Sequence, residues 1–406
     1  MTTVRLRRTT LTLIATLGVA VVGAAPREAV LLSGERLRER LTAFIYDAGD
    51  ASNAAAVFGG ERETAPGSLV CWGALAAPKP GVWVRFTDGS RLSAGPDWTD
   101  DPVVRLDADA GAVRRAEAWI AAPRSAIGRI LFSGVPEPTA PTAGATDTLV
   151  LRDDSGADGD RYQGAIVGIA DGVVTGRLLG EETTIDVSRV SVVSLANAIA
   201  DGPTGGCLVG LGDGSVLVAE RVRVTPRDVS IVTTDSVRLV SKRDELVFLQ
   251  PLGGRVRYLS DAAPRDYRHT PYFDLRWPLG RDATPLGDPL VVRGRRYAKA
   301  VACHAAARIV YAVADDESRF QAELAVADPL RGGQPGSVVF RVFAVRDSRV
   351  DELYTSETIR SGEEPVPIDL DVRGAAGLVL IVDFADRGDA GDDALWLDAR
   401  MARVRD

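Results

Sequence analysis

The feature that most restricts the fold is the way glycine and proline divide the chain into short runs of alternating apolar and polar residues. Forty-one glycines and 22 prolines interrupt the 406 residues. Strict alternation over a few residues, bounded by turn formers, indicates half-buried β-strands. The one segment with helical spacing, residues 35–45, also fits a strand after the turn at Ser33 and Gly34. The sequence therefore predicts an all-β protein.

An internal repeat divides the first two thirds of the chain. The spacing apolar-x3-Arg-x2-apolar-x2-apolar occurs around Arg124, Arg189 and Arg243. A turn beside a strand precedes each occurrence, at residues 88–90, 159–160 and 213–215, and Asp-Gly is a strong hairpin signal. We expect each repeat to be a small antiparallel β-roll or half-barrel. The three arginines are expected to fix turns by bonding carbonyls or a carboxylate.

Composition shifts give the expected boundaries. Residues 1–25 carry a basic start, an apolar run and small residues at 22–25, which is typical of a secretory signal peptide cleaved after Ala24 or Ala25. The expected parts that follow are a first β-unit with an N-terminal extension (26–134), a Pro/Thr/Ala linker (135–146), a second β-unit (147–200), a third β-unit (201–255) and a C-terminal domain (256–406). The protein is thus expected to be exported, to the periplasm or the outside of the cell, by either the Sec or the twin-arginine route.

The alternation is clearest after residue 300. At least six strands with period-two patterning occur within about 110 residues, which favours a two-sheet antiparallel sandwich.

Charge and rare residues exclude several function classes. The net charge of −8 argues against nucleic acid as a partner, and no apolar run reaches the length of a membrane span. With two histidines and three widely spaced cysteines, the chain lacks the ligand patterns of zinc hydrolases. It also lacks G-x-S-x-G. A carboxylate pair of the glycosidase kind stays open as an alternative, because 56 acidic residues are available.

The C-terminal part resembles a known family. The matching segments include Tyr258–Asp261, Pro289–Gly294, Cys303–Ala305 and Asp393–Arg400, in the family's order and spacing. Over residues 258–404 the chain is similar to NPCBM, a carbohydrate-binding module associated with glycosyl hydrolases. It departs from the family pattern at Ala300 and at Ala394 and Leu395. The resemblance implies a galactose-binding-like jelly roll and a non-catalytic role directed at glycans.

The resemblance also supplies candidate site residues. Trp396 would stack on a sugar ring, while His304 and Asp393 would bond its hydroxyls. The competing interpretations place Trp396 in the core and make His304 a structural histidine. Trp277 lies in a proline-bounded segment where exposure is plausible, without support from a motif.

Two further alternatives concern metals and partners. Asp386, Asp389 and Asp392 crowd one glycine-containing loop and are weak candidates for a structural calcium site, although a solvated acidic loop is the default. No other cofactor is expected. The leading functional interpretation is an exported, non-catalytic carbohydrate-binding protein. The alternatives are a periplasmic or cell-surface structural protein that engages protein partners through its β-units, and a glycoside hydrolase.

Overall fold

The computed structural model describes residues 27–404 except 66, 96–102, 116–117, 133, 135–144, 154–155, 157, 201, 204, 272–273, 330–332, 348 and 387. The predicted signal peptide and most of the predicted linker lie outside the described residues. The regular elements that the structure describes are β-strands and short 3₁₀ turns, which confirms the all-β class. No helix in the described part of the chain is long and apolar enough to cross a membrane.

The strands before residue 253 pair into one antiparallel hydrogen-bonded network. Their bounds are β1 Ala29–Leu31, β2 Arg36–Leu37, β3 Leu41–Asp47, β4 Ala55–Phe58, β5 Arg62–Glu63, β6 Leu69–Gly73, β7 Val82–Phe86, β8 Arg91–Gly95, β9 Val104–Leu106, β10 Ala110–Arg115, β11 Ala118–Pro123, β12 Ile127–Leu131, β13 Asp147–Arg152, β14 Asp158–Ala170, β15 Val173–Leu178, β16 Glu181–Asp186, β17 Val190–Ser194, β18 Gly206–Leu211, β19 Val216–Val224, β20 Asp228–Thr233, β21 Arg238–Lys242 and β22 Leu246–Leu252. Residues 48–53 form a 3₁₀ turn after β3.

Three rolled units repeat within this network, as the sequence predicts. In each unit the last strand returns to pair with the first: β12 with β7, β17 with β13, and β22 with β18. A 3₁₀ turn precedes each closing strand, at Arg124–Ala126, Val187–Arg189 and Arg243–Glu245. The Asp-Gly hairpins at residues 88–90 and 213–215 are present, whereas Gly159 and Asp160 lie inside β14, so the turn predicted there is wrong.

The repeat arginines are equivalent in two units and not in the third. Arg124 and Arg243 begin their 3₁₀ turns, while Arg189 ends its turn, two residues out of step. Arg124 donates to the carbonyl of Ile166 at 2.6 Å, and Arg243 donates to that of Leu41 at 2.8 Å. The side chain of Arg189 is exposed. The expected turn-fixing role therefore holds for Arg124 and Arg243 and is wrong for Arg189.

The units are also joined to one another. Strand β12 pairs with β17, β19 with β3, and β22 with β6. One continuous apolar core fills the network, from Ala29 to Leu249. The domain boundaries drawn from the sequence stay predictions.

The C-terminal part is a two-sheet antiparallel sandwich, as predicted. Its strands are β23 Val256–Tyr258, β24 Asp266–His269, β25 Gly280–Arg281, β26 Val291–Val292, β27 Arg295–Arg296, β28 Ala300–His304, β29 Ala307–Ala312, β30 Arg319–Val326, β31 Ser337–Arg346, β32 Arg349–Thr355, β33 Ile359–Arg360, β34 Val366–Asp371, β35 Gly377–Phe384 and β36 Asp393–Ala402. One sheet has the order β25-β28-β36-β30-β34, with β23 beside β36. The other has the order β24-β29-β35-β31-β32, with β33 beside β31. A second apolar core lies between the two sheets.

Candidate functional site

Two of the predicted site residues meet at one end of the sandwich. Antiparallel pairing of β28 with β36 places His304 directly opposite Asp393. Nδ1 of His304 lies 3.0 Å from Oδ1 of Asp393. In the tautomer with its proton on Nδ1, His304 donates to this carboxylate and Nε2 is the remaining ring nitrogen. The side chain of His304 is 7% exposed, and that of Asp393 is 32% exposed.

The aromatic partner of His304 is Trp277. The two rings stack with their centroids 4.7 Å apart and their planes 28° from parallel. Trp277 is half-buried, so part of its indole stays accessible. Pro278 restricts the residue before it to extended backbone, which helps to present Trp277 from the loop rather than from a strand.

The backbone N–H and carbonyl of Trp277 are both hydrogen-bonded to side chains. The N–H of Trp277 donates to Nδ1 of His269 at 3.2 Å, and its carbonyl accepts the hydroxyl of Tyr267 at 2.9 Å. Nε2 of His269 in turn lies 3.2 Å from the carbonyl of Ala305. Burial lowers the pKa of His269 below its ordinary value, which keeps the ring neutral and able to accept from Trp277. These bonds fix the backbone of Trp277, and the contact with His304 orients its indole.

A buried carboxylate lies behind the same surface. Asp392 is buried, and its Oδ1 accepts the N–H of Ser337 at 2.7 Å. Burial raises the pKa of Asp392 to about 6, with Asp389 and Asp393 acting in the same direction, while Ser337 and His304 oppose the shift. Oδ2 of Asp392 has no hydrogen-bond partner among the described residues.

The calcium alternative finds no support in this geometry. Asp386 is exposed and forms an ion pair with Arg360 at 3.0 Å, while Asp392 is tied to Ser337 in the interior. In the part of the chain that the structure describes, no three side chains of His, Cys, Asp or Glu are arranged to hold a metal ion. Asp386, Asp389 and Asp392 therefore do not form a described calcium cluster.

The three cysteines offer no reactive thiol. Cys71, Cys207 and Cys303 are buried and are not joined in disulfides. Burial raises the pKa of each of them well above its ordinary value. A nucleophilic cysteine needs the opposite, an accessible thiol with a lowered pKa.

Comparison with known protein families gives a match for the C-terminal sandwich. The family model described as the NPCBM/NEW2 domain matches residues 255–402. The C-terminal sandwich is an NPCBM/NEW2 domain. The match ends there, and the three β-units lie outside it. Among curated proteins, no sequence matches this chain.

Solved structures similar to this chain include carbohydrate-binding modules of type CBM51. A structure of CBM51-2 and INT domains from Clostridium perfringens ZmpB, with GlcNAc, is 19% identical over 45% of this chain and 37% of its own, with a TM-score of 0.32. The chain thus spans little more than a third of that protein's length. A CBM51 from Clostridium perfringens GH95, with methyl-galactose, is 19% identical over 36% of this chain and 99% of its own, with a TM-score of 0.32. Tandem CBM51 modules of a family 98 glycoside hydrolase from Streptococcus pneumoniae are 13% identical over 93% of this chain and 100% of their own, with a TM-score of 0.31.

The third predicted site residue of the NPCBM/NEW2 domain lies in its core. Trp396 is 0% exposed, and its ring makes a T-shaped contact with Phe340 at 4.9 Å. The stacking role proposed for Trp396 is therefore wrong. Leu395 and Leu397, on the opposite face of β36, are buried as well, in a small cluster with Leu290 and Val292. Because both faces of β36 are covered, alternation in the sequence does not show which face meets solvent.

The residues that sequence reasoning missed are His269 and the pairing of Trp277 with His304. A tryptophan between two prolines was the available signal for an accessible aromatic. Its partner lies 27 positions later in the chain, on strand β28, so the contact depends on how the loop folds back.

Proposed function

We propose that the protein binds carbohydrate through its NPCBM/NEW2 domain, at a surface that we call the Trp277 patch and define as Trp277, His304 and Asp393. The observation that carries the proposal is the stacking of the half-buried Trp277 indole on a histidine that Asp393 holds in place. The relation of residues 255–402 to a family named for carbohydrate-binding modules supports the same conclusion.

The chemistry of the patch suits a sugar ring. An indole face packs against the C–H groups of a pyranose, and nearby polar groups select its hydroxyls. The partly exposed carboxylate of Asp393 accepts hydrogen bonds from hydroxyls. A shallow site of this size excludes little water, and each hydroxyl exchanges one hydrogen bond for another. We therefore expect dissociation constants from about 1 mM to about 1 μM.

A glycan array with the full chain, followed by titration calorimetry of the best ligand, tests the proposal. Trp277→Ala should abolish binding while the circular dichroism spectrum stays that of the wild type. Trp119→Ala is a matched control, because Trp119 is 38% exposed and lies on β11, in the first β-unit. Equal affinities for Trp277→Ala and wild type would contradict the proposal, as would loss of binding in Trp119→Ala.

We also propose that the protein acts outside the cytoplasm and without turnover. The basic and apolar start of the sequence supports export. The buried cysteines support binding rather than catalysis. N-terminal sequencing of the mature protein should begin at residue 25 or 26. A panel of chromogenic glycosides and esters should show no hydrolysis above background, and hydrolysis of any of them would contradict the non-catalytic role.

A further inference from the structure

A cavity separate from the Trp277 patch lies where the β-units meet the NPCBM/NEW2 domain. Its volume is about 130 Å³. A single water needs roughly 10–15 Å³ measured in this way, so the cavity has room for a tetrahedral oxyanion or the acid-bearing part of one sugar residue. Lys299 at this cavity immediately precedes β28, and His304 at the Trp277 patch is the last residue of the same strand. At 3.3 Å per residue they are about 16 Å apart, so the two sites are separate.

Three arginines line this cavity. Arg85 and Arg91 are directly opposite each other in the pairing of β7 with β8. Arg296 comes from β27 of the NPCBM/NEW2 domain and forms a bridge with Leu75 of the N-terminal region. Like charges directly opposite each other in a ladder are destabilising. The fold therefore concentrates positive charge between its two parts.

No carboxylate among the described residues forms a salt bridge with Arg91 or Arg296, and Nε of Arg91 is buried with no described hydrogen-bond partner. Burial, together with the nearby Arg296 and Arg85, lowers the pKa of Arg91 to about 10. Burial also lowers the pKa of Arg296.

Among the described residues that line the cavity, the acidic one is Asp282, and it is already engaged. Oδ2 of Asp282 accepts from Nζ of Lys299 at 2.6 Å, and its Oδ1 accepts the N–H of Ala300 at 3.1 Å. Nζ of Lys299 also lies 2.5 Å from Asp261. Lys299 and its two aspartates thus engage one another, and neither of these aspartates forms a salt bridge with Arg91 or Arg296.

The walls strengthen the attraction for an anion. Leu75, Leu208, Val216, Val218 and Leu290 line the cavity beside the arginines. Electrostatic interactions are stronger beside such apolar surfaces than in water. The planar fork of an arginine donates two parallel hydrogen bonds to carboxylate, sulfate or phosphate oxygens.

We propose that this cavity binds a small oxyanion, free or carried by an acidic sugar residue, and that Arg91 and Arg296 hold it from the two sides of the junction. A bound anion offsets the repulsion among the guanidinium groups. Because Arg91 belongs to the first β-unit and Arg296 to the NPCBM/NEW2 domain, the anion links the two parts of the chain. A ligand that binds only the folded state stabilises it by RT ln(1 + c/Kd), where c is the free ligand concentration, so the unfolding temperature rises with ligand concentration.

Titration calorimetry and thermal unfolding of the full chain test this, with sodium phosphate, sodium sulfate and sodium glucuronate as probes. Chloride holds the ionic strength constant, and neutral glucose serves as the uncharged comparison. At least one oxyanion should bind saturably at one site and raise the unfolding temperature. Glucuronate that binds at least about tenfold more tightly than phosphate would identify a sugar-borne carboxylate, whereas tighter binding of phosphate or sulfate would identify the free inorganic ion.

Variants assign the binding to the cavity. Arg91→Gln and Arg296→Gln should each weaken binding at least about tenfold, because each removes one charged fork. Arg189→Gln is the matched control, since Arg189 is exposed and lies outside the cavity, and it should bind like the wild type. Arg296→Gln keeps the test valid if Arg91→Gln does not fold. The proposal is overturned if no probe binds saturably, or if both cavity variants bind like the wild type. Neutral glycans at the Trp277 patch should bind equally to all three variants, so failure here is distinguishable from failure of the proposed function.

Discussion

At the scale of single residues, two tryptophans of the same domain have opposite roles. Trp396 is on β36, a central strand of one sheet, and its side chain packs between the two sheets against Phe320 and Phe340. Trp277 lies in a loop at the end of the sandwich and stacks on His304. Side-chain chemistry is the same in both, so the packing around each residue decides whether it stabilises the fold or meets a ligand.

Alanine substitutions should separate these roles. Trp396→Ala leaves a cavity in the inter-sheet core and should lower the free energy of unfolding by about 3–5 kcal/mol. Trp277→Ala should change it by less than about 1 kcal/mol, because the indole is half-buried at the surface. Urea denaturation measures both values. Similar losses for the two variants would contradict the assignment of Trp277 to a surface site.

Asp392 gives a prediction about pH. Its pKa is about 6 in the folded protein, against an ordinary value of 3.8, so the folded state binds this proton more tightly than the unfolded state. Stability from this group is therefore present below about pH 4 and is lost as the pH rises to about 6. The total is at most about 3 kcal/mol. Asp392→Asn cannot ionise at this position. Its free energy of unfolding, measured by urea denaturation, should therefore fall less between pH 4.5 and pH 7 than that of the wild type. Parallel pH profiles for the variant and the wild type would show that Asp392 ionises normally.

At the scale of elements, two hairpins of the first and third units support each other reciprocally. Oγ of Ser90 accepts the N–H of Val218 at 2.8 Å, and Oγ of Ser215 accepts the N–H of Ser93 at 3.0 Å. Ser90 and Ser215 each follow an Asp-Gly turn directly. Ser93, three residues after Ser90, donates to Ser215, and Val218, three residues after Ser215, donates to Ser90. The two units are therefore related by approximate two-fold symmetry at this contact.

Removing either hydroxyl leaves a backbone donor without its partner. Ser90→Ala and Ser215→Ala should each cost about 1–3 kcal/mol, because both serines are fully buried. Ser188→Ala, at the exposed turn of the second unit, should stay within about 0.5 kcal/mol of the wild type. Chemical denaturation of the three variants measures this. A Ser90 variant as stable as the Ser188 variant would contradict the reciprocal contact.

The sequence reveals local structure better than long-range pairing. Alternation and Asp-Gly turns predict the hairpins, because both depend on neighbouring residues. The pairings of β22 with β6 and of β19 with β3 join segments about 180 residues apart, and nothing local specifies them. The same limit explains the site: His304 was found from its motif, but its stacking on Trp277 is a tertiary contact.

At the scale of the whole molecule, the β-units and the NPCBM/NEW2 domain share an apolar cluster and a polar network. Val70, Leu208 and Phe248 pack with Tyr258 and Ala402 across the junction. Within the same junction, Gln250 donates to Asp398 at 2.8 Å and to the Tyr258 hydroxyl at 3.0 Å. Burial raises the pKa of Asp398, so the amide of Gln250 is an important partner for it.

The shared junction predicts one cooperative unfolding transition for the full chain. Gln250→Ala removes the hydrogen bond to a buried carboxyl group and should lower stability by about 1–3 kcal/mol. Gln163→Ala is the matched control, because Gln163 is exposed on β14. Scanning calorimetry measures both. Two well-separated transitions in the wild type would show that the two parts unfold independently.

Carbohydrate binding at the Trp277 patch is directly observable in indole ¹H–¹⁵N spectra of the full chain. The six tryptophans give separate indole signals, which single Trp→Phe variants assign. During titration with the best glycan from the array, we expect a saturable shift of the Trp277 signal, while the signals of Trp396 and Trp119 stay in place. A titration that shifts the Trp119 signal and leaves that of Trp277 unchanged would contradict binding at the Trp277 patch.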